Sequence, residues 1–87
     1  MEYSFNKMLN DLKIGREIEF DYKGQHYSIV NGNGKWFFCE DKQSVELCNF
    51  EEVNILLDKI KKLILQNEPI ENVIDRKLYT QDTLYIL

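Results

Sequence analysis

Two cysteines, Cys39 and Cys48, are too few for a disulfide framework, and their spacing lacks the short pairing of a zinc site. Histidine occurs once, so any imidazole chemistry must use His26. No apolar run reaches the roughly 18 residues that a membrane-spanning helix needs. The opening Met1-Glu2-Tyr3-Ser4 has neither a basic nor an apolar stretch, so no signal peptide is expected. Positive charge is in deficit. Lysine and arginine total 11 against 15 acids, a net charge of −4 with an isoelectric point near 4.9. Phosphate-driven nucleic-acid binding relies on a basic surface and is disfavoured. No membrane contact, cofactor or metal is expected, and reduced thiols fit a cytoplasmic protein. There is no repeat, low-complexity tract or interdomain linker.

What is abundant points to a folded core. Hydrophobic side chains make up 44% of the chain and aromatic ones 13%, and 87 residues leave room for a single domain spanning 1–87. The apolar period changes at Asn49. From Glu17 to Cys48 apolar residues recur at every second position; from Phe50 to Leu65, at every third or fourth. Period two marks half-buried strands and period 3.6 a helix, so a sheet built of hairpins is followed at once by a helix that can cover it. The expected class is α+β: an N-terminal helix, a four-stranded antiparallel β-meander, a main amphipathic helix packed on one face, a short C-terminal helix and a possible final strand.

Ser4 is placed to cap the first helix, with Phe5, Met8, Leu9 and Leu12 as its apolar stripe and Gly15 at its end. In the first strand Ile18, Phe20 and Tyr22 share the core face, and Glu17, Glu19 and Asp21 the other. A turn at Lys23-Gly24 sets Phe20 opposite Tyr27, Ile18 opposite Ile29 and Asp21 opposite His26. A turn at Gly32-Asn33, within Asn31-Gly32-Asn33-Gly34, sets Trp36 opposite Ile29 and Phe38 opposite Tyr27. A turn at Asp41-Lys42 sets Phe38 opposite Val45 and Trp36 opposite Leu47. All three turns keep one face apolar, and a one-residue slip in any of them would spoil it. Asn49, with Glu52 three residues on, reads as a capping box for the main helix. Its buried stripe is Val53, Leu56, Leu57, Ile60, Leu63 and Ile64. Early acids (Glu51, Glu52) and late bases (Lys59, Lys61, Lys62) complement the helix dipole, which makes the lysines a solvated face rather than a nucleic-acid patch. Pro69 opens a short helix with Ile70, Val73 and Ile74 inward. Residues 83–87 read as a final strand or an extended tail.

The sheet face turned away from the main helix carries the candidate chemistry. Asp21, His26 and Cys39 fall side by side on three neighbouring strands: a carboxylate, a base and a thiol, the ingredients of an activated nucleophile. Against this, no helix N-terminus or anion hole is evident beside Cys39, and a flat face offers no pocket. Glu17, Glu19 and Asp21 form a negative row, either a stripe for a basic partner or a solvated strand guarded against edge pairing. Phe37 has the parity of this face, near Val30 and Cys39, and is either a contact site or covered by the C-terminal segment. Tyr22, Tyr27, Trp36 and Phe38 have the opposite parity and belong to the core rather than to a base-stacking platform. The glycines of Asn31–Gly34 lack the Lys-Ser/Thr of a phosphate loop and lead into a strand, as in a hairpin.

The helix–sheet–helix order resembles, in architecture, the double-stranded RNA-binding domain, with Glu51 and Glu52 where that family has a lysine-rich helix start. In size and acidity the chain resembles the small anti-CRISPR proteins of Firmicutes phages. It has no alanine and is rich in Lys, Asn, Ile, Phe and Tyr, a composition expected of a low-GC genome. The second resemblance implies an inhibitor of a nucleic-acid enzyme. The leading expectation is a non-enzymatic binding or regulatory module. It would act through a protein–protein surface containing Glu17, Glu19, Asp21 and Phe37, on a protein partner of basic character, as a monomer or weak homodimer. The rivals are the phage-type inhibitor and a thiol enzyme using Asp21, His26 and Cys39.

Overall fold

The computed structural model describes residues 2–87. Along the chain it has α1 (Phe5–Lys13), β1 (Ile18–Tyr22), β2 (Gln25–Gly32), β3 (Lys35–Glu40), β4 (Gln43–Asn49), α2 (Val53–Lys61), β5 (Ile64–Leu65), β6 (Glu68–Pro69), α3 (Ile70–Asp75) and β7 (Tyr85–Ile86). The fold is α+β, with β1–β4 forming the expected antiparallel meander and β7 extending it beyond β1, in the order β4-β3-β2-β1-β7. Period-two patterning in 17–48 produces this sheet because each strand buries mainly one face, with the small Ser28 of β2 also buried on the other. Ile18, Phe20, Tyr22, Tyr27, Ile29, Trp36 and Leu47 are all buried on the side that faces the helices.

Helix α1 starts where its sequence demands. Ser4 Oγ accepts from the Lys7 N–H at 3.0 Å, and Asp75 Oδ1 accepts from the Phe5 N–H at 2.7 Å. Two of the four orphan donors are thus satisfied, one by a carboxylate from α3 that also complements the helix dipole. Phe5, Met8, Leu9 and Leu12 are buried as a single stripe. Gly15, at φ +90°, lets the chain turn toward β1, and the ring of Phe50 sits 3.5 Å from where a Cβ would be.

The β1–β2 register is as expected, with Ile18 opposite Ile29, Phe20 opposite Tyr27 and Asp21 opposite His26. The β2–β3 register is not. The turn falls on Asn33-Gly34, both with positive φ, rather than on Gly32-Asn33. Asn-Gly is the pair that a type I′ turn prefers, since it needs φ > 0 at both positions. Each β3 residue therefore sits two positions from its expected partner: Trp36 faces Asn31 instead of Ile29, and Phe38 faces Ile29 instead of Tyr27. Between β3 and β4, Phe38 does face Val45, but a bulge between Trp36 and Phe37 places Trp36 opposite Cys48 instead of Leu47. The extra residue lets Leu47 and Cys48 both be buried.

Helix α2 is shorter than its apolar period suggests. Its N-cap is Glu52, not Asn49. Only the reciprocal half of the capping box forms, the Asn49 N–H donating to Glu52 Oε1 at 2.9 Å. Leu56 and Ile60 are fully buried and Val53, Leu57 and Leu63 half-buried, but Ile64 is 59% exposed. The helix stops at Lys61 because the chain folds back in the β5–β6 hairpin, whose turn residues Gln66 and Asn67 both take positive φ. Gln66 Nε2 donates to the Tyr22 carbonyl and to the Tyr27 hydroxyl, at 3.0 and 3.2 Å, which ties this hairpin to the sheet. Pro69 stands at the N-cap position of α3 without a side-chain cap, and Ile70, Val73 and Ile74 point into the core as expected.

Candidate functional site: the outer face of the sheet

Strand parity sends Glu17, Glu19 and Asp21 of β1 and its approach, His26, Ser28 and Val30 of β2, Lys35, Phe37 and Cys39 of β3, and Ser44 and Glu46 of β4 to the face opposite the helices. The register arranges them in rows. Asp21 lies opposite His26; Glu19 opposite Ser28, which is opposite Cys39, which is opposite Ser44; Val30 opposite Phe37, which is opposite Glu46. On the far side Tyr85 of β7 joins Glu19 and is 54% exposed. The centre of the face is apolar or small, and its border is charged.

Asp21 and His26 form the expected pair, with Nδ1 2.6 Å from Oδ1. An ionised carboxylate only accepts, so in this contact Nδ1 is the donor. Both side chains are close to half exposed. Cys39 does not join them. The shifted β2–β3 register puts it against Ser28 instead of His26 and gives His26 the neighbouring Asp41, whose Oδ1 accepts from the His26 N–H at 3.1 Å. The thiol therefore lacks the adjacent base that an activated nucleophile uses. Cys48 is buried, and its Sγ lies 3.7 Å from the Glu52 carbonyl. Burial, and then the Glu52 carboxylate, pushes that thiol up from its ordinary value. Among the described residues no group of three His, Cys, Asp or Glu side chains is placed to hold a metal ion.

The acidic row is real, but its members are unequal. Glu17 Oε2 accepts from the Asn31 N–H at 2.9 Å and so braces β1 against β2. Asp21 is engaged by His26. Glu19 has no hydrogen-bond or ion-pair partner among the described residues. The row does not guard an edge, because β7 covers β1: Leu87 N–H donates to the Glu17 carbonyl at 2.7 Å and Thr80 N–H to the Asp21 carbonyl at 2.8 Å. Phe37 is half-buried beside Val30, and the C-terminal segment does not cover it. β7 lies three strands away in the plane of the sheet, where Ile86 and Leu84 pack against the core. Glu46, Lys35 and Tyr85 were not singled out from the sequence. Glu46 and Lys35, on facing strands, are joined at 3.0 Å. Tyr85 shares parity with Thr83 and Leu87, a pattern that becomes informative only once β7 is known to pair with β1.

An open depression of about 620 Å³ lies at the β3–β4 turn, lined by Gln25, His26, Glu40, Asp41, Lys42 and Gln43. No helix of the described residues is long and apolar enough to cross a membrane. Comparison with protein-family models, with curated proteins and with solved structures found no match to this chain.

Proposed function

We propose that this protein is a non-enzymatic binding module that docks a basic protein partner on the outer face of its sheet. One observation carries this reading. Val30 and Phe37 form an apolar spot in the middle of a face whose carboxylates, Glu17, Glu19, Asp21 and Glu46, outnumber its lysine, Lys35. Interfaces place an aromatic anchor at the centre and charge at the rim, where it steers association more than it adds affinity. Glu19, free of partners among the described residues, is the carboxylate best placed to contribute to steering. A nucleic-acid enzyme presents a basic surface of the kind this face would meet, so inhibition of such an enzyme is one form the binding would take. The thiol-enzyme alternative is disfavoured by the separation of Cys39 from His26.

The test is affinity capture with three baits: the wild type, an outer-face variant (Phe37→Asp with Glu19→Lys), and a helix-side control (Lys61→Glu). All three should remain folded, the outer-face variant melting somewhat lower because Phe37 is half-buried; binding is compared at a temperature where all three are native. The expected result is a partner retained by the wild type and the control and lost from the outer-face variant. The same partner bound equally by all three baits would overturn the reading.

A further inference from the structure

The two long sides of the meander are treated differently by the rest of the chain. In an antiparallel ladder the residues flanking a two-residue turn exchange hydrogen bonds, and every second pair thereafter does the same. At Lys23-Gly24 this rule turns the backbone groups of Glu17, Glu19 and Asp21 away from β2. There they are taken up by the C-terminal segment: Leu87 N–H bonds the Glu17 carbonyl, Thr80 N–H the Asp21 carbonyl, and the Asp21 N–H donates to Thr83 Oγ1 at 3.0 Å. At Asp41-Lys42 the same rule turns the N–H and C=O of Ser44 and Glu46 away from β3. Among the described residues nothing takes them up. Gln43, Ser44, Val45 and Glu46 are all exposed, and Val45 is 60% exposed. Beyond them the edge closes, because Lys59 Nζ donates to the Leu47 carbonyl and Leu47 is the extra residue of the bulge. The open stretch has no proline, no lysine and no bulge, the usual protections of a free edge.

We propose that this stretch of β4 pairs with the same stretch of a second copy, antiparallel, about a two-fold axis through Val45. The register is self-complementary. Ser44 faces Glu46 of the second copy and Glu46 faces its Ser44, so all the outward backbone groups of both residues are satisfied reciprocally. Val45 meets Val45 as the close, non-hydrogen-bonded pair between them. Charge is complementary as well. Glu46 lies diagonal to Lys42 of the second copy, and its own Lys35 already offsets the diagonal approach of the two Glu46 side chains. The contact is short and so forms a weak, concentration-dependent dimer, well below the area of a stable interface. It joins two sheets edge to edge and leaves both outer faces open, so it stands independently of the partner proposed above.

Sedimentation velocity of the wild type over a rising concentration series, alone in buffer, is expected to show a shift from monomer toward dimer. Amide hydrogen exchange should slow at Ser44 and Glu46 as the dimer grows. Val45→Lys, which places like charges at the axis, and Ser44→Pro, which removes only an outward N–H, should abolish the shift while leaving the far-UV spectrum and melting unchanged. A wild type that stays monomeric throughout, variants that dimerise like the wild type, or a dimer whose Ser44 and Glu46 amides gain no protection would each overturn the proposal. So would protection of those amides only when a different protein is added.

Discussion

Truncating Trp36 to alanine tests the packing on which every other statement about this fold depends. Trp36 is 1% exposed. Its ring is stacked on Phe50 with centroids 5.7 Å apart and an interplanar angle of 10°. Its Nε1–H donates to the Phe50 carbonyl at 3.3 Å, which ties β3 to the turn that leads into α2. Removing a buried tryptophan costs about 3–5 kcal/mol. An 87-residue domain has a total stability of roughly 4–13 kcal/mol. Trp36→Ala is therefore expected to lose a large share of that stability, while Trp36→Phe, which keeps a ring for Phe50, should lose clearly less. Urea unfolding followed by far-ultraviolet circular dichroism measures this without the lost tryptophan signal. Phe50 is 42% exposed, so Phe50→Ala alone should be tolerated. The double variant should then show a coupling of about 0.5–1.5 kcal/mol for the stacked pair. A Trp36→Ala protein with the wild-type midpoint would refute the buried placement. Costs that add to within about 0.3 kcal/mol would refute the stack.

Three further outcomes are expected. Gly34→Ala should cost about 1–2 kcal/mol because its φ is +78°, whereas Gly32→Ala, with no positive φ and nothing within 4 Å, should be close to neutral; denaturation midpoints in the reverse order would move the turn back to Gly32-Asn33. Deleting 83–87 should lower the melting temperature by uncovering β1, and combining it with Phe37→Ala should give additive losses, since the two sites lie three strands apart; a combined loss smaller than the sum would mean that the segment packs on Phe37 after all. Stability should fall at alkaline pH. The Cys48, Tyr27 and Tyr3 groups are all raised in the folded state, chiefly by burial and for Tyr3 also by its hydrogen bond to Asp11, so the unfolded chain releases these protons first. The decline should begin near the ordinary thiol value of 9.0, continue past the ordinary phenol value of 10.0, and start later in Cys48→Ala; a flat melting temperature across that range would reject the burial assigned to these groups.

Much of this fold was legible because its signals are local. Ser4 before an apolar stripe, Pro69 before another, and alternation from Glu17 to Cys48 each act within a few residues, and α1, α3 and the meander form where those signals lie. The end of α2 was not legible. Leu63-Ile64-Leu65 continues the apolar period, and nothing within it says whether helix or hairpin follows. The decision is made at Gln66, whose amide bonds the Tyr22 carbonyl and the Tyr27 hydroxyl, residues about forty positions away along the chain. The bulge at Leu47 is of the same kind. Period-two reasoning assigns Leu47 and Cys48 to opposite faces, but packing buries both.

The candidate site divides along a sharper line. Moving a hairpin turn by one residue moves the register by two, and a shift of two leaves every side chain on the same face. Asn31-Gly32-Asn33-Gly34 allows either turn, and both keep the core apolar; the expectation that a one-residue slip of any turn would spoil the apolar face is wrong here, and the apolar pattern could not choose between them. Only the preference of a type I′ turn for Asn followed by Gly separates the two. Features that depend on parity alone therefore survive: Glu17, Glu19 and Asp21 alternate along one stretch of chain, and Phe37 keeps its face whichever turn forms. A constellation that spans strands depends on absolute register. Asp21 and His26 meet because the chain turns at Lys23-Gly24. Cys39 lands opposite Ser28, two positions from His26, because the next turn forms at Asn33-Gly34. In a small antiparallel sheet, a binding face can thus be read from alternation, while a catalytic row needs every turn between its members to be right.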